Sequence, residues 1–299
     1  MSNQFTATTS LEVNFERMPS GIVVAEIRNE FAQATVSLFG GQVLTWQPKH
    51  TASPVLWVSK LASFDGTRAI RGGAPICWPW FGGHPENPRL PAHGYARTSP
   101  WNLERIRQTE DGATELVLSL ASGTDAAGSR LSKLNLTQTV LIGKALDIAL
   151  TTLNISSESQ SYSEGLHTYF HVDDVAEIVV GGLDGREYVD LTDSNRRRHQ
   201  SGGVTFSEEV GRVFVASQDS CTIEDRRLGR RIRVDKWGSN STAIWNPWAD
   251  VATRMTDLGS DGWRSMVCVE TANALDDSVM LDAGQQATMT ARYSVEALR

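Results

Sequence analysis

Hydrophobic side chains recur at every second residue through much of this chain, and that period constrains its fold more than any other feature. Leu116, Leu118 and Leu120 alternate with Glu115, Val117 and Ser119, and Leu146, Ile148 and Leu150 alternate with Ala145, Asp147 and Ala149. Near the C-terminus Ala287, Met289, Ala291 and Tyr293 alternate with Thr288, Thr290, Arg292 and Ser294. Successive side chains of a strand point to opposite faces, so a period of two describes antiparallel strands with one face buried. No long segment keeps a 3.6-residue apolar stripe. Gly40-Gly41, Gly143-Lys144 and Leu228-Gly229 fall where hairpin turns belong. The pattern predicts an all-β chain, a large antiparallel β-sandwich with short helices at most, one of them over Pro247 to Met255. No linker-like stretch interrupts the 299 residues, which read as one domain, 1–299.

The net charge of -7 repels a polyanionic backbone, so nucleic acid is not an expected partner. The N-terminal segment lacks the charged start and apolar stretch of a signal peptide, and no segment reaches the roughly 18 apolar residues of a membrane helix. The expectation is a soluble, cytoplasmic monomer. Cys77, Cys221 and Cys268 form an odd set without a CxxC pair, which argues for reduced, buried thiols and against a disulfide framework or a zinc site. Of two basic runs, Arg196-Arg-Arg198 reads as a surface loop, and Asp225 to Arg233 as a solvated hairpin about Leu228-Gly229.

Six of the ten prolines lie between Pro75 and Pro100, interleaved with Gly72, Gly73, Gly82, Gly83 and Gly94. That composition excludes regular helix and sets a rigid, irregular platform. It carries Arg71, Arg97, His84, His93, Trp78 and Trp80, cations, imidazoles and flat apolar faces suited to an anionic, polyhydroxylated ligand.

Two further segments carry chemistry. Gly165-Leu-His-Thr-Tyr-Phe-His-Val172 reads as a strand with His167, Tyr169 and His171 on one face, either a polar site or ordinary histidines satisfied by neighbours. Ser265-Met-Val-Cys-Val-Glu270 places Glu270 on the face of Met266 and Cys268, either as a desolvated general base or emerging into solvent where the strand ends. Between them, Trp245 and Trp248 offer a sugar-stacking wall or core packing. Asp173-Asp174, read as adjacent strand residues, cannot both flank one bond unless the strand has already ended. Neither a metal site, nor a P-loop, nor Gly-x-Ser-x-Gly is present.

Arg71-Gly-Gly-Ala-Pro-Ile-Cys-Trp-Pro-Trp-Phe-Gly82, His93-Gly-Tyr-Ala-Arg97, Leu166-His-Thr-Tyr-Phe170, Trp245-Asn-Pro247 and Val267-Cys-Val-Glu270 together resemble the hexose-6-phosphate mutarotases (glucose-6-phosphate 1-epimerases), within the galactose mutarotase-like superfamily. These pieces run in family order over about two thirds of the chain. The resemblance implies the superfamily's β-sandwich and interconversion of the α and β anomers of a sugar phosphate, glucose 6-phosphate first, without cofactor or metal. It maps His167 to the general acid, Glu270 to the general base, Arg71 and Arg97 to substrate-holding positions at the 6-phosphate, and His93 to a sugar contact. One departure stands out: Glu208-Glu-Val-Gly-Arg-Val-Phe214 carries Gly211 where the family has a substrate-contacting Asp, leaving Glu209 as a candidate replacement. The rival readings are an aldose 1-epimerase for unphosphorylated sugars and a non-catalytic carbohydrate-binding or sensing protein. Two buried guanidinium groups without an anion speak against the first; retention of both His167 and Glu270 speaks against the second.

Overall fold

The computed structural model describes residues 11–121 and 133–298. Two eight-stranded antiparallel sheets form the sandwich, flanked by a four-stranded sheet of residues 12–48 and a two-stranded ribbon. The first large sheet runs, in spatial order, Arg196–His199, Glu187–Asp190, Val210–Phe214, Ser241–Asn246, Met266–Asn273, Glu164–Leu166 and Ile76–Cys77, with Tyr169–His171 also paired to Met266–Asn273. The second runs Val179–Gly181, Cys221–Asp225, Arg230–Trp237, Gln286–Ala297, Leu146–Asn154, Leu134–Ile142, Thr114–Leu120 and Trp101–Gln108.

The alternation read from the sequence is the burial pattern of the second sheet. Every other residue of Leu146–Asn154 is buried, and so are Leu116, Leu118, Met289, Ala291 and Tyr293. All three expected turns join antiparallel partners. The helix is real but short, Trp248–Ala252. Arg196-Arg-Arg198 is an exposed edge strand rather than a loop, and its arginines pair with Glu187, Asp190, Asp193 and Asp276. Charged side chains on an edge discourage pairing with another chain.

Met266–Asn273 departs from alternation, for all eight of its residues are buried. Its neighbour Phe170, opposite Val267, packs edge-on against Tyr293 of the second sheet, and Thr168 shares a 2.7 Å hydroxyl contact with the same tyrosine. One face of this strand therefore belongs to the sandwich core. The other, carrying Cys268 and Glu270, is roofed by the Gly/Pro loop.

Candidate active site

The strand register brings His167 and Glu270, the expected acid and base, together. Leu166 pairs with Thr271 and Tyr169 with Cys268, so His167 falls directly opposite Glu270. The ladder opens at that point. The His167 N–H donates to Pro75 O at 2.9 Å, and the Thr168 N–H turns back to Leu166 O at 2.8 Å. The expected continuous strand is thus two short strands with His167 and Thr168 between them. Alternation survives the break, because Thr168 and Phe170 face the core while His167 and Tyr169 stack at 5.0 Å on the opposite face. His171 does not join them. Its carbonyl accepts from Arg230 Nη2 at 2.6 Å, and its ring lies 3.4 Å from the same guanidinium, away from the cavity.

His167 and Glu270 form the floor of a cavity of about 510 Å³ bordered by Arg68, Arg71, Phe81, His93, Arg97, Tyr169, Leu191, Gly211, Trp245 and Asp257. His167 Nδ1 lies 3.5 Å from Glu270 Oε1, yet neither His167 Nδ1 nor Glu270 Oε2 makes a hydrogen bond. Glu270 is 2% exposed, so it does not emerge into solvent, and the strand continues to Asn273. Burial pushes its carboxyl well above the ordinary range, against the pull of Arg97. Burial, helped by His93, Arg97 and Arg71, holds the His167 imidazole well below its ordinary value. The two shifts run in opposite directions, so burial favours carboxyl with imidazole over carboxylate with imidazolium.

The loop aims its side chains through two consecutive left-handed residues, His93 at φ 67° and Gly94 at φ 69°. Only glycine fits the second, since a Cβ there would lie 2.0 Å from Trp78 O. His93 Nδ1 accepts from the Gly82 N–H at 3.2 Å, so the neutral ring carries its proton on Nε2. Burial and the nearby Arg97 and Arg71 lower its pKa to about 3. His93 is thereby a neutral hydrogen-bond donor, 5.5 Å from the His167 ring.

The remaining loop residues separate. Trp78 is fully buried and donates to Thr152 Oγ1 of the second sheet, so it is core. Trp80 and His84 border a different depression beside Tyr95. Trp245 lines the cavity, whereas Trp248 packs on Trp263.

Arg71 is not short of an anion. Its Nε and Nη2 reach Asp257 Oδ2 at 3.2 and 3.1 Å, and its Nη1 donates to Tyr169 Oη at 2.8 Å. The argument from two unpaired guanidinium groups therefore fails for Arg71. Arg97 is half-buried rather than buried; its Nη2 donates to Ala92 O at 2.9 Å, and it has no ion pair among the described residues. Sequence reasoning missed Asp257, which has no motif around it, and Arg68, three residues before Arg71, exposed at the rim and likewise without an ion pair among the described residues. Arg212 also borders the cavity, but its guanidinium is held by Gln200 Oε1 at 2.7 Å and lies over the Tyr188 ring. Gly211 lines the cavity with an ordinary backbone, and a Cβ there would make normal contacts with Leu191 and Thr192 at 3.4 and 3.5 Å. Glu209 is exposed outside the cavity and replaces nothing in it.

Residues 24–294 match the family model described as aldose 1-epimerase. The chain belongs to that family. It is 35% identical over 242 residues to an Escherichia coli K12 protein named as a candidate glucose-6-phosphate 1-epimerase, covering 81% of this chain and 80% of that one. A protein of the same name from Cenchrus ciliaris is 31% identical over 284 residues, covering 90% and 84%. The crystal structure of a candidate mutarotase from Salmonella typhimurium superposes with a TM-score of 0.86 at 28% identity, with 97% of each chain covered. This epimerase is an isomerase that interconverts sugar anomers on a galactose mutarotase-like β-sandwich.

Proposed function

We propose that this epimerase acts on a hexose 6-phosphate, glucose 6-phosphate first, with Glu270 as general base and His167 as general acid. Glu270 takes the proton of the C1 hydroxyl while His167 delivers one to the ring oxygen. The bond from C1 to the ring oxygen breaks, and the hemiacetal opens to an aldehyde. Rotation about the C1–C2 bond and reclosure by the same two groups, with exchanged roles, yield the other anomer. The hydroxyl groups of the sugar favour the carboxylate and imidazolium form that burial alone disfavours, while Arg97 favours the carboxylate and opposes the imidazolium. His93 Nε2–H serves as a donor to a sugar oxygen.

The observation that carries the phosphate is the company kept by the pair. Its two unpaired buried atoms share one cavity with Arg97, a guanidinium without a carboxylate. Arg68 at the rim adds a second charge in reach of a flexible phosphate, and Arg71, fixed by Asp257 and Tyr169, holds the wall against which the sugar lies. The relatives named for glucose 6-phosphate support this reading. Anomer-exchange NMR on glucose 6-phosphate and free glucose, after subtraction of the spontaneous rate, tests it. Equal acceleration of both sugars would make this an enzyme for unphosphorylated aldoses.

The same reading takes the chain as a cytoplasmic monomer of one domain. One hydrophobic cluster with members from all four sheets supports the single domain. Among the described residues no helix is long and apolar enough to cross a membrane.

A further inference from the structure

Beside the floor pair, buried behind the cavity lining, lies a third group that anomer exchange does not use. Cys268 precedes Glu270 by two residues on the same face of Met266–Asn273, and its Sγ, a His167 ring nitrogen and a Glu270 carboxylate oxygen all lie within 4.8 Å of one another. The odd cysteine count argued against zinc, but that argument concerned spacing along the chain. The fold supplies the histidine from another strand.

We propose that His167, Cys268 and Glu270 form a site for a borderline-soft divalent cation such as Zn²⁺, and that the bound ion inhibits the enzyme reversibly by occupying its acid and base. The proposal rests on the acid–base reading above. Ligands about 2.0 to 2.3 Å from Zn²⁺ at a tetrahedral angle sit about 3.3 to 3.8 Å apart, and His167 Nδ1 and Glu270 Oε1 are already 3.5 Å apart. The thiol and the carboxyl atoms need only a small closing movement to complete three ligands. The fourth position opens on the cavity, where water or a sugar hydroxyl fits.

Charge argues the same way. A lone thiolate or carboxylate at this buried position is uncompensated, and burial holds both Cys268 and Glu270 towards their protonated forms. A divalent cation bound to thiolate, carboxylate and neutral imidazole sums to zero, the one charged arrangement a buried site tolerates without an outside partner. Coordination sends the thiol proton and the carboxyl proton to solvent, and no electron moves. Two of the proposed ligands, His167 through Nδ1 and Glu270 through Oε2, carry buried polar atoms that lack any hydrogen bond.

Titrating Cd²⁺ into the whole protein reads the site directly, through the ultraviolet charge-transfer band of a cadmium–thiolate bond. One band equivalent per chain is expected, lost in Cys268→Ser, kept in Cys221→Ala, and suppressed by glucose 6-phosphate. The Zn²⁺ concentration that halves anomer exchange, taken relative to each variant's own rate, should rise at least about tenfold in Cys268→Ser. If Cys268→Ser fails to fold, the wild-type band must still weaken in His167→Gln and be displaced by sugar phosphate. No band, a band indifferent to sugar phosphate, or one that persists without Cys268 overturns the metal site. Those outcomes are separate from the acid–base reading, which falls if His167→Gln retains wild-type turnover while the Cd²⁺ band behaves as expected.

Discussion

As the proposed acid and base, with one proton between them, His167 and Glu270 should give a two-sided pH profile. Turnover is lost on the acid side when the pair gains a second proton and on the alkaline side when it loses its only one. Because burial lowers the imidazole and raises the carboxyl, the acid limb should fall below the ordinary histidine value and the alkaline limb above the ordinary carboxylate value. His167→Ala and Glu270→Gln should each lower kcat by about 100-fold to 10,000-fold with KM little changed; either variant retaining a tenth of wild-type turnover refutes the assignment. The arginines should separate. Arg97→Ala removes a charge-assisted contact of roughly 1.5 to 3 kcal/mol and should lower kcat/KM for glucose 6-phosphate by about 10-fold to 150-fold, leaving free glucose unchanged. Arg71→Ala instead strands the 12% exposed Asp257 side chain and removes the donor to Tyr169. It should impair both sugars alike and lower the melting temperature, and a loss confined to the phosphorylated sugar would give Arg71 the phosphate instead.

At the scale of elements, the strand Val210–Phe214 offers the clearest test of sugar preference. Gly211 has room for a side chain and no left-handed backbone to forbid one. Gly211→Asp should therefore fold normally and narrow the choice among glucose, galactose and mannose 6-phosphates by about 1 to 2 kcal/mol, the scale of one hydrogen bond. A wild-type enzyme already confined to one epimer would show that a different side chain reads that hydroxyl. The sequence made the strands legible because alternation is a local signal, written residue by residue in Leu146–Asn154. It misread Gly165 to Val172 as one strand, since the bond from His167 N–H to Pro75 O that opens the ladder joins residues 92 positions apart. The proposed acid and base, His167 and Glu270, were singled out through motifs. Their juxtaposition was not, because it depends on the register between two strands a hundred residues apart, and Asp257 entered the site by a similar long-range route.

The whole molecule carries a second buried acid, outside the cavity. Glu164 is 1% exposed, accepts from Asn273 Nδ2 at 3.2 Å, and is raised by burial from 4.5 to about 8. The folded state then holds a proton that the unfolded chain releases. Stability from this group is complete below about pH 4.5, falls by up to about 1.4 kcal/mol per pH unit above it, and is lost beyond about pH 8. Denaturation midpoints at pH 5 and pH 8 should differ less in Glu164→Gln than in the wild type; parallel losses would mean that Glu164 does not titrate in this range. Glu164 and Glu270 both touch Met266–Asn273, Glu270 within it and Glu164 in the strand beside it, and that double-sided strand has a practical meaning. The floor of the proposed reaction chamber is also one wall of the sandwich core, so an opening that dissolves the core takes the chamber with it. As the protein is heated, remaining turnover should count surviving native molecules one for one, making its rate assay a thermometer of its own integrity.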